Sequence, residues 1–250
     1  MVPMISVLIP SRTDAYLARA LDSLFWHGGF QGTGRRIIVG DNGLTERPAH
    51  PSIVYVDVPQ PFNFSGAINR CAAAAPPMHD LFILNDDAHP TSFYFPVSLE
   101  CGLRWGMEQG FGLIGPRIIG GVGNEDQQQH TPIGTFLQTY RPVCFMAAAI
   151  PRHVWNQIGP MDERYTGYGC DDADYCRRVV DAGYKLGIAG WCSVEHGVPG
   201  LVQSGTFRRI FRDEEYSTMG QRAMRIFEDK WGKGPQLGEY AKGDVHAHAR

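Results

Sequence analysis

Apolar and polar positions along this chain follow two rhythms in turn. Short continuous apolar runs, rich in β-branched side chains, alternate with stretches whose apolar residues recur at helical spacing, and this alternation predicts a parallel sheet with crossover helices. Ile5 to Pro10 reads as the first strand, and Tyr16, Leu17, Ala20, Leu21 and Leu24 share a helical face behind it. Arg36 to Gly40 is a second strand ending in Asp41-Asn42-Gly43, Ile53 to Val58 a third, and Ala67 to Ala75 a helix before an apolar run at Leu81. In the second half the pattern predicts a strand from Phe111 to Ile119, a surface loop from Gly120 to Pro132, and a buried strand from Val143 to Ile150. A short helix from Val154 to Ile158 comes next, then a helix carrying Tyr175, Val179 and Val180, and a strand from Leu186 to Val194. Phe207 to Phe211 and Met219 to Trp231 are helix-compatible, and the chain turns polar after Gly232.

The run Leu81-Phe82-Ile83-Leu84-Asn85-Asp86-Asp87 delivers two adjacent carboxylates to a strand's end. Neighbouring ionised carboxylates repel, and a site that keeps them usually holds a cation between them and something anionic. Oxygen ligands of this kind suit Mg²⁺ or Mn²⁺, which keep open positions for phosphate oxygens. A solvated turn is the structural alternative, because Asn, Asp and His-Pro are ordinary turn residues. In open sheets, ligands sit outside the carboxyl ends of the strands, so Ser11, Arg12, Asp41, Asn63 and Asp86 are expected to converge.

Composition excludes more than it assigns. The 250 residues are 43% hydrophobic and 20% charged, an ordinary globular balance, and 23 basic against 26 acidic residues give a net charge of −3. Nothing there marks a protein built to coat nucleic acid. Six cysteines with no CxxC pair fit reduced thiols in a cytoplasmic protein better than disulfides or structural zinc. No signal peptide is visible, and apolar runs are far shorter than the ~20 residues a membrane span needs, so any membrane contact would be peripheral.

A second acidic cluster lies at Asp171-Asp172-Ala173-Asp174, after the glycine-rich Gly167-Tyr168-Gly169-Cys170. Acids belong at a helix start as caps and dipole partners, but three in four positions exceed what capping requires. His196, closing a strand of the same sheet, is placed to approach the Asp87 cation through a neutral ring nitrogen, although a lone histidine is more often structural. Trp155, Tyr168 and Trp191 could stack on sugar faces or pack the core. Arg208, Arg209 and Arg212 read first as a solvated face, with an anion clamp as the alternative.

Taken in order, Ser6-Val7-Leu8-Ile9-Pro10-Ser11-Arg12, Val39-Gly40-Asp41-Asn42, Asn85-Asp86-Asp87, Met161-Asp162-Glu163-Arg164-Tyr165, Asp171 to Arg178, Gly183-Tyr184 and His196 resemble the motifs of family 2 glycosyltransferases. Phe227-Glu228-Asp229-Lys230-Trp231-Gly232 is similar to a common ending of such domains. The Asp-Asp-Ala-Asp-Tyr segment is similar to bacterial galactofuranosyltransferases. Pro61-Phe62-Asn63-Phe64-Ser65 with Asn69 resembles bacterial and phage glycan-building members, rhamnosyltransferases among them. The resemblance implies an α/β chain of GT-A fold, with a Rossmann-like, mostly parallel central sheet flanked by helices. It implies one domain over 1–232: a nucleotide-binding half to about 110, an acceptor and catalytic half over 111–200, and C-terminal helices over 201–232, with 233–250 a polar tail.

Roles follow from the same resemblance. Asp41 matches the acid that reads the nucleotide base, and Pro10, Ser11 and Arg12 lie where the first strand's loop meets the nucleotide. Asn63 and Asn69 join this nucleotide-binding set, as do Asn85 and Asp86, the latter nearer the ribose. Asp87 matches the direct metal ligand and His196 a second one. Asp172 matches the usual catalytic base, while the Asp at 171 in place of the commoner Glu leaves Asp171, Asp172 and Asp174 as candidates. The implied activity is metal-dependent, inverting transfer of a sugar from a nucleoside diphosphate, UDP before dTDP or GDP, to an acceptor hydroxyl.

The chemistry agrees, because a divalent cation stabilises the departing diphosphate and one carboxylate can take the acceptor proton in a single displacement. The acceptor is open among glycan, glycolipid, protein side chain and modified nucleic-acid base. The expected place is the cytoplasm, the host's if the chain is phage-encoded. Two rivals stand beside this reading: a non-catalytic nucleotide- or carbohydrate-binding module of the same fold, and a sugar-phosphate nucleotidyltransferase. The second lacks its glycine-rich basic loop at Pro10-Ser11-Arg12-Thr13-Asp14.

Overall fold

A computed structural model describes residues 4–234 except 28, 31, 93, 121–123, 168 and 197–215. The first apolar runs become β1 (Ile5–Ser11), β2 (Arg36–Asp41), β3 (Ile53–Asp57) and β4 (Asp80–Leu84), with α1 (Asp14–Trp26) and α2 (Phe64–Ala74) between them. Then follow β5 (Ala88–Pro90), α3 (Phe95–Glu108), β6 (Phe111–Ile119), a π-helical turn (Asp126–His130), β7 (Phe136–Thr139) and β8 (Ala147–Ile150). The chain continues through α4 (Arg152–Ile158), α5 (Asp171–Asp181), β9 (Lys185–His196) and α6 (Tyr216–Trp231).

The nine strands form one sheet in the order β3-β2-β1-β4-β8-β6-β9-β5, with β7 also paired to β9. The β3-β2-β1-β4 portion is parallel, as crossover helices require. Beyond it β8 runs antiparallel to β4 and β6, β6 and β9 are parallel, and β5 and β7 are antiparallel to β9. Because β8 opposes β4, the residues just before β8 lie beside the carboxyl end of β4, where the acids are.

Both faces of the sheet are covered. Leu17, Leu21 and Leu24 of α1 and Phe95, Leu99 and Leu103 of α3 join one core with Val7, Ile9 and Phe82. Ile68 and Cys71 of α2, Val154 and Trp155 of α4, and Tyr175 and Val179 of α5 join the other with Leu8, Ile83 and Ile150. Each fully buried aliphatic or aromatic side chain contributes about 1.5–3 kcal/mol relative to exposure, so this alternation of faces is what fixes strand register.

Two expectations from the pattern are corrected. The strand expected from Val143 begins only at Ala147. Upstream of it the backbone bonds to side chains instead of a neighbouring strand: Val143 N–H to Cys176 Sγ (3.3 Å) and Cys144 N–H to Gln127 Oε1 (2.7 Å). The described part of the 120–132 segment is not a surface loop throughout. Its π-helical turn carries Gln127 fully buried, and Gly115 leaves the space, since a Cβ there would meet the Gln127 amide at 2.5 Å. α3, β5 and β7 were not anticipated.

Candidate functional site

β1, β2 and β4 end side by side. Ser11 is in register with Asp41, and its hydroxyl donates to Asp86 Oδ2 at 2.8 Å. Both Ser11 and Asp86 are buried, so this bond fixes the Asp86 side chain across two strand ends. Pro10 is buried within β1, whereas Arg12 is exposed at its end. Asn85 continues past β4, its N–H donating to the Met146 carbonyl at 3.0 Å and its carbonyl accepting from Ala88 N–H at 3.0 Å.

That turn launches β5, whose antiparallel register pairs Ala88 with His196. In consequence His196 Nε2 lies 3.2 Å from Asp87 Oδ1, with both side chains half-buried. Burial raises the Asp87 carboxyl, but the His196 hydrogen bond and charge outweigh it and hold it below its ordinary value. A carboxylate oxygen beside an imidazole nitrogen is a donor pair that Mn²⁺ or Mg²⁺ accepts. Among the described residues no group of three or more potential metal-ligating side chains occurs, so a cation here would need further oxygens from a bound phosphate or water.

Asp41 is engaged by its own loop. It is 5% exposed. Its Oδ1 accepts from Gly43 N–H (2.8 Å) and Leu44 N–H (2.7 Å), and its Oδ2 from Arg47 Nε (2.7 Å). Arg47 also reaches Asp57 Oδ1 at 2.7 Å and lies over the Tyr55 ring. Asp41 thus shapes the loop after β2, and Arg47, which no spacing in the sequence singles out, closes it.

Asn63 and Asn69 act together as a staple. Asn63 caps α2 by accepting from Gly66 N–H (2.8 Å) and donates to the Glu163 carbonyl (2.8 Å). Asn69 exchanges two hydrogen bonds with the Met161 backbone (2.8 and 2.9 Å) and donates to Glu163 Oε1 (2.9 Å). Two motifs distant in sequence therefore form one joint between the halves of the chain.

The acids of α5 divide into two kinds. Asp174 is fully buried, pairs with Lys230 Nζ (2.8 Å) and accepts from Trp231 Nε1 (2.9 Å), with the Arg178 charge 3.2 Å away, so its contacts are those of a residue that holds the fold. Asp171 and Asp172 are half-buried on the first turn. Burial, then the Asp172 charge, pushes Asp171 up to about 7, and burial also raises Asp172. Asp172 accepts from Ala173 N–H (2.7 Å). Cys176 of α5 accepts the Val143 N–H at 3.3 Å and the Met146 carbonyl accepts the Asn85 N–H at 3.0 Å, so the 143–146 segment links α5 to the Asn85-Asp86-Asp87 turn. Burial, together with the Asp172 and Asp171 charges, pushes the neighbouring Cys144 thiol up to about 12.

Trp155 stacks on Tyr175 in the core, and Trp191 packs against Phe136 and Gly102 while donating to the Ser98 carbonyl, so both serve packing. Tyr168, Phe207 to Phe211 with Arg208 and Arg209, and Arg212 lie outside the described residues. No described helix is long and apolar enough to cross a membrane.

With this geometry in place, similarity to solved structures becomes informative. The chain superposes on GalNAc-T7, solved with UDP, GalNAc and Mn²⁺, with a TM-score of 0.62 at 12% identity, covering 79% of this chain and 44% of that one. The mannosyltransferase PcManGT from Pyrobaculum calidifontis, in complex with GDP-Man and Mn²⁺, gives 0.58 at 14% identity, covering 84% and 60%. S. aureus TarS 1–349 gives 0.56 at 12% identity, covering 92% and 72%. The chain has the GT-A fold. No family model matches the sequence. An uncharacterized protein of Sinorhizobium fredii, y4gI, is 23% identical over 230 residues, and the chain spans about a quarter of its length, 24%.

Proposed function

We propose that this chain is a glycosyltransferase that moves a sugar from a nucleoside diphosphate, UDP before GDP or dTDP, to an acceptor hydroxyl by a single inverting displacement. The observation that carries the reading is the 143–146 segment, which meets α5 where Cys176 Sγ accepts the Val143 N–H at 3.3 Å and meets the acidic turn after β4 where the Met146 carbonyl accepts the Asn85 N–H at 3.0 Å. On this reading the acids at the start of α5 supply the proton acceptor and the Asp87 and His196 pair supplies the cation site. The neighbours of the same fold crystallised with nucleotides or nucleotide sugars and Mn²⁺ lend further support.

In this mechanism Asp87 and His196 would hold the divalent cation, which when bound neutralises charge on the departing diphosphate. Ser11 and Asp86 hold the strand ends that border the ribose, with Pro10 and Arg12 flanking the nucleotide and Asn85 fixing the turn. Asp41 acts on the base through the loop it organises and through Arg47. Asn63 and Asn69 position the 161–165 segment behind the site. Asp172 takes the proton from the attacking hydroxyl, and the raised affinity of the Asp171 and Asp172 pair for a proton suits a general base near neutral pH. With one carboxylate acting as base and no covalent sugar intermediate, the displacement is direct and inverts the anomeric carbon.

The test is a panel of UDP-, GDP- and dTDP-sugars with Mn²⁺, measuring released nucleotide with water or simple sugars as acceptor. Release from one donor, lost in Asp87→Ala and Asp172→Asn, supports the reading. Nucleotide binding without release from any donor in any condition would instead favour a binding module of the same fold.

A further inference from the structure

We propose that Lys230 and Trp231, at the end of α6, are positioning residues for the reaction: through Asp174 they set the first turn of α5, on which Asp171 and Asp172 stand. The inference rests on the glycosyltransferase reading and deepens it.

The argument begins with the stripe on α6. Met219, Ala223 and Phe227 recur at helical spacing and are buried, with Ala223 and Phe227 in a small separate core beside Tyr165 and Ala173. That core alone is too small to fix the helix, and polar contacts complete the dock. Lys230 Nζ bridges Asp162 Oδ2 (3.0 Å) and Asp174 Oδ1 (2.8 Å), and Trp231 Nε1 donates to the same Asp174 oxygen (2.9 Å). Arg222 donates to the Thr166 carbonyl at 3.1 Å, and Gly167 lies against Met219 and Arg222.

The receiving end is the first turn of α5. Asp174 N–H donates to the Cys170 carbonyl at 2.8 Å, closing that turn, and Cys170 itself sits at φ 64°, a left-handed conformation costly for a residue with a Cβ. Such a turn persists only where its surroundings over-determine it. Tyr165 OH donates to Asp174 at 3.3 Å and the Arg178 charge lies 3.2 Å from it, but among the described residues only Lys230 ties it to Asp162 as well. Asp162 belongs to the segment stapled to α2 by Asn63 and Asn69. Lys230 is therefore the joint at which α6, the 161–165 segment and the acid-bearing turn meet, while β1, β2 and β4 make no part of it.

A displacement of the acid pair by a fraction of an ångström would misalign proton transfer and leave the nucleotide contacts alone. Lys230→Met, Lys230→Arg and Trp231→Phe are made in the full chain. UDP affinity with Mn²⁺ is measured by calorimetry, and turnover on whichever nucleotide sugar of the panel the parent hydrolyses. Lys230→Met is expected to lower kcat about 10-fold with the UDP Kd within about twofold of the parent, and Lys230→Arg to recover most of the loss. Trp231→Phe, which keeps an aromatic side chain but removes the indole N–H, is expected to lower kcat about threefold and decides the matter if Lys230→Met does not fold. Unchanged kcat in a folded variant, or parallel loss of Kd, kcat and thermal stability without rescue by Arg, would overturn the proposal. A parent that hydrolyses no donor would instead overturn the glycosyltransferase reading and this inference with it.

Discussion

His196 Nε2 and Asp87 Oδ1 lie 3.2 Å apart because β5, which starts directly after Asp87, pairs antiparallel with the last residues of β9. Backbone pairing, not the side-chain contact, creates the juxtaposition. Removing either side chain should therefore leave the strands in place. Asp87→Ala is expected to weaken Mn²⁺-dependent UDP binding by about tenfold or more, and His196→Ala by less, because a carboxylate contributes charge as well as a donor atom. Titration of UDP with and without Mn²⁺ checks this. Parental affinity in both variants would mean that the cation binds elsewhere.

Asp172 and Asp174 stand on one helical turn yet should fail differently. Asp172→Asn keeps an oxygen for the Ala173 N–H while losing basicity, so folding and UDP affinity are expected to persist as turnover falls about 10²-fold or more. Asp174→Asn removes the charge that faces Lys230 and Arg178 in a fully buried site. It is expected to cost stability first, on the order of 3 kcal/mol. Paired thermal melts and single-turnover rates separate the two, and equal effects in both would erase the distinction.

Much of this arrangement was legible in the sequence because it depends on strand ends. The apolar runs at Ile5, Arg36 and Leu81 fix where β1, β2 and β4 stop, and the residues after them must share one edge of a parallel sheet. His196 followed from the same logic applied to β9. The Asn63 and Asn69 staple was not legible, since both side chains hydrogen-bond to residues around 161–163 that only the tertiary fold brings near. Nor was the detour of Val143 and Cys144, where an apolar run of strand composition gives its backbone hydrogen bonds to Cys176 and Gln127. Arg47 escaped because an arginine in a turn is ordinary until its partner is known. Asp174 was separable from its neighbours only once Lys230 and Trp231 were seen to reach it.

The acid pair also has a pH signature. Asp171 takes up its proton more readily when folded, to about 7, than the ordinary carboxyl at 3.8, because burial and Asp172 disfavour its charge. Below 3.8 the group is neutral in both states and costs nothing. As pH rises from there towards 7 the unfolded chain ionises first, so stability falls across that window and stays lower above it. Asp171→Asn is neutral throughout and escapes the loss. It is expected to melt higher than the parent at pH 8, by roughly 1–2 kcal/mol after allowing for solvent screening at a half-buried turn, and no higher at pH 4. The parent's turnover is expected to rise with pH through the same range. A melting difference independent of pH would refute the shift.

Arg35 and Glu100 supply the contrasting case, a buried charge pair at the starts of the strands whose ends carry the site residues. Glu100, on α3, accepts from Arg35 through both carboxylate oxygens, with Arg35 Nε to Oε1 at 2.7 Å, and from Ile5 N–H at 3.1 Å. It thus joins α3 to the starts of β1 and β2, at the opposite end of these strands from Ser11 and Asp41. Neutralising one partner leaves the other buried and uncompensated, which typically costs about 3–5 kcal/mol even where the intact pair adds little net stability. Glu100→Gln is therefore expected to lower the melting temperature by roughly 10 °C for a chain of this size. Because the strand ends that carry Ser11, Asp41 and Asp86 are held by their own hydrogen bonds, UDP affinity and kcat well below the melting point should match the parent. A variant that kept its melting temperature while losing UDP affinity would show that this pair acts on the nucleotide site instead of on the fold.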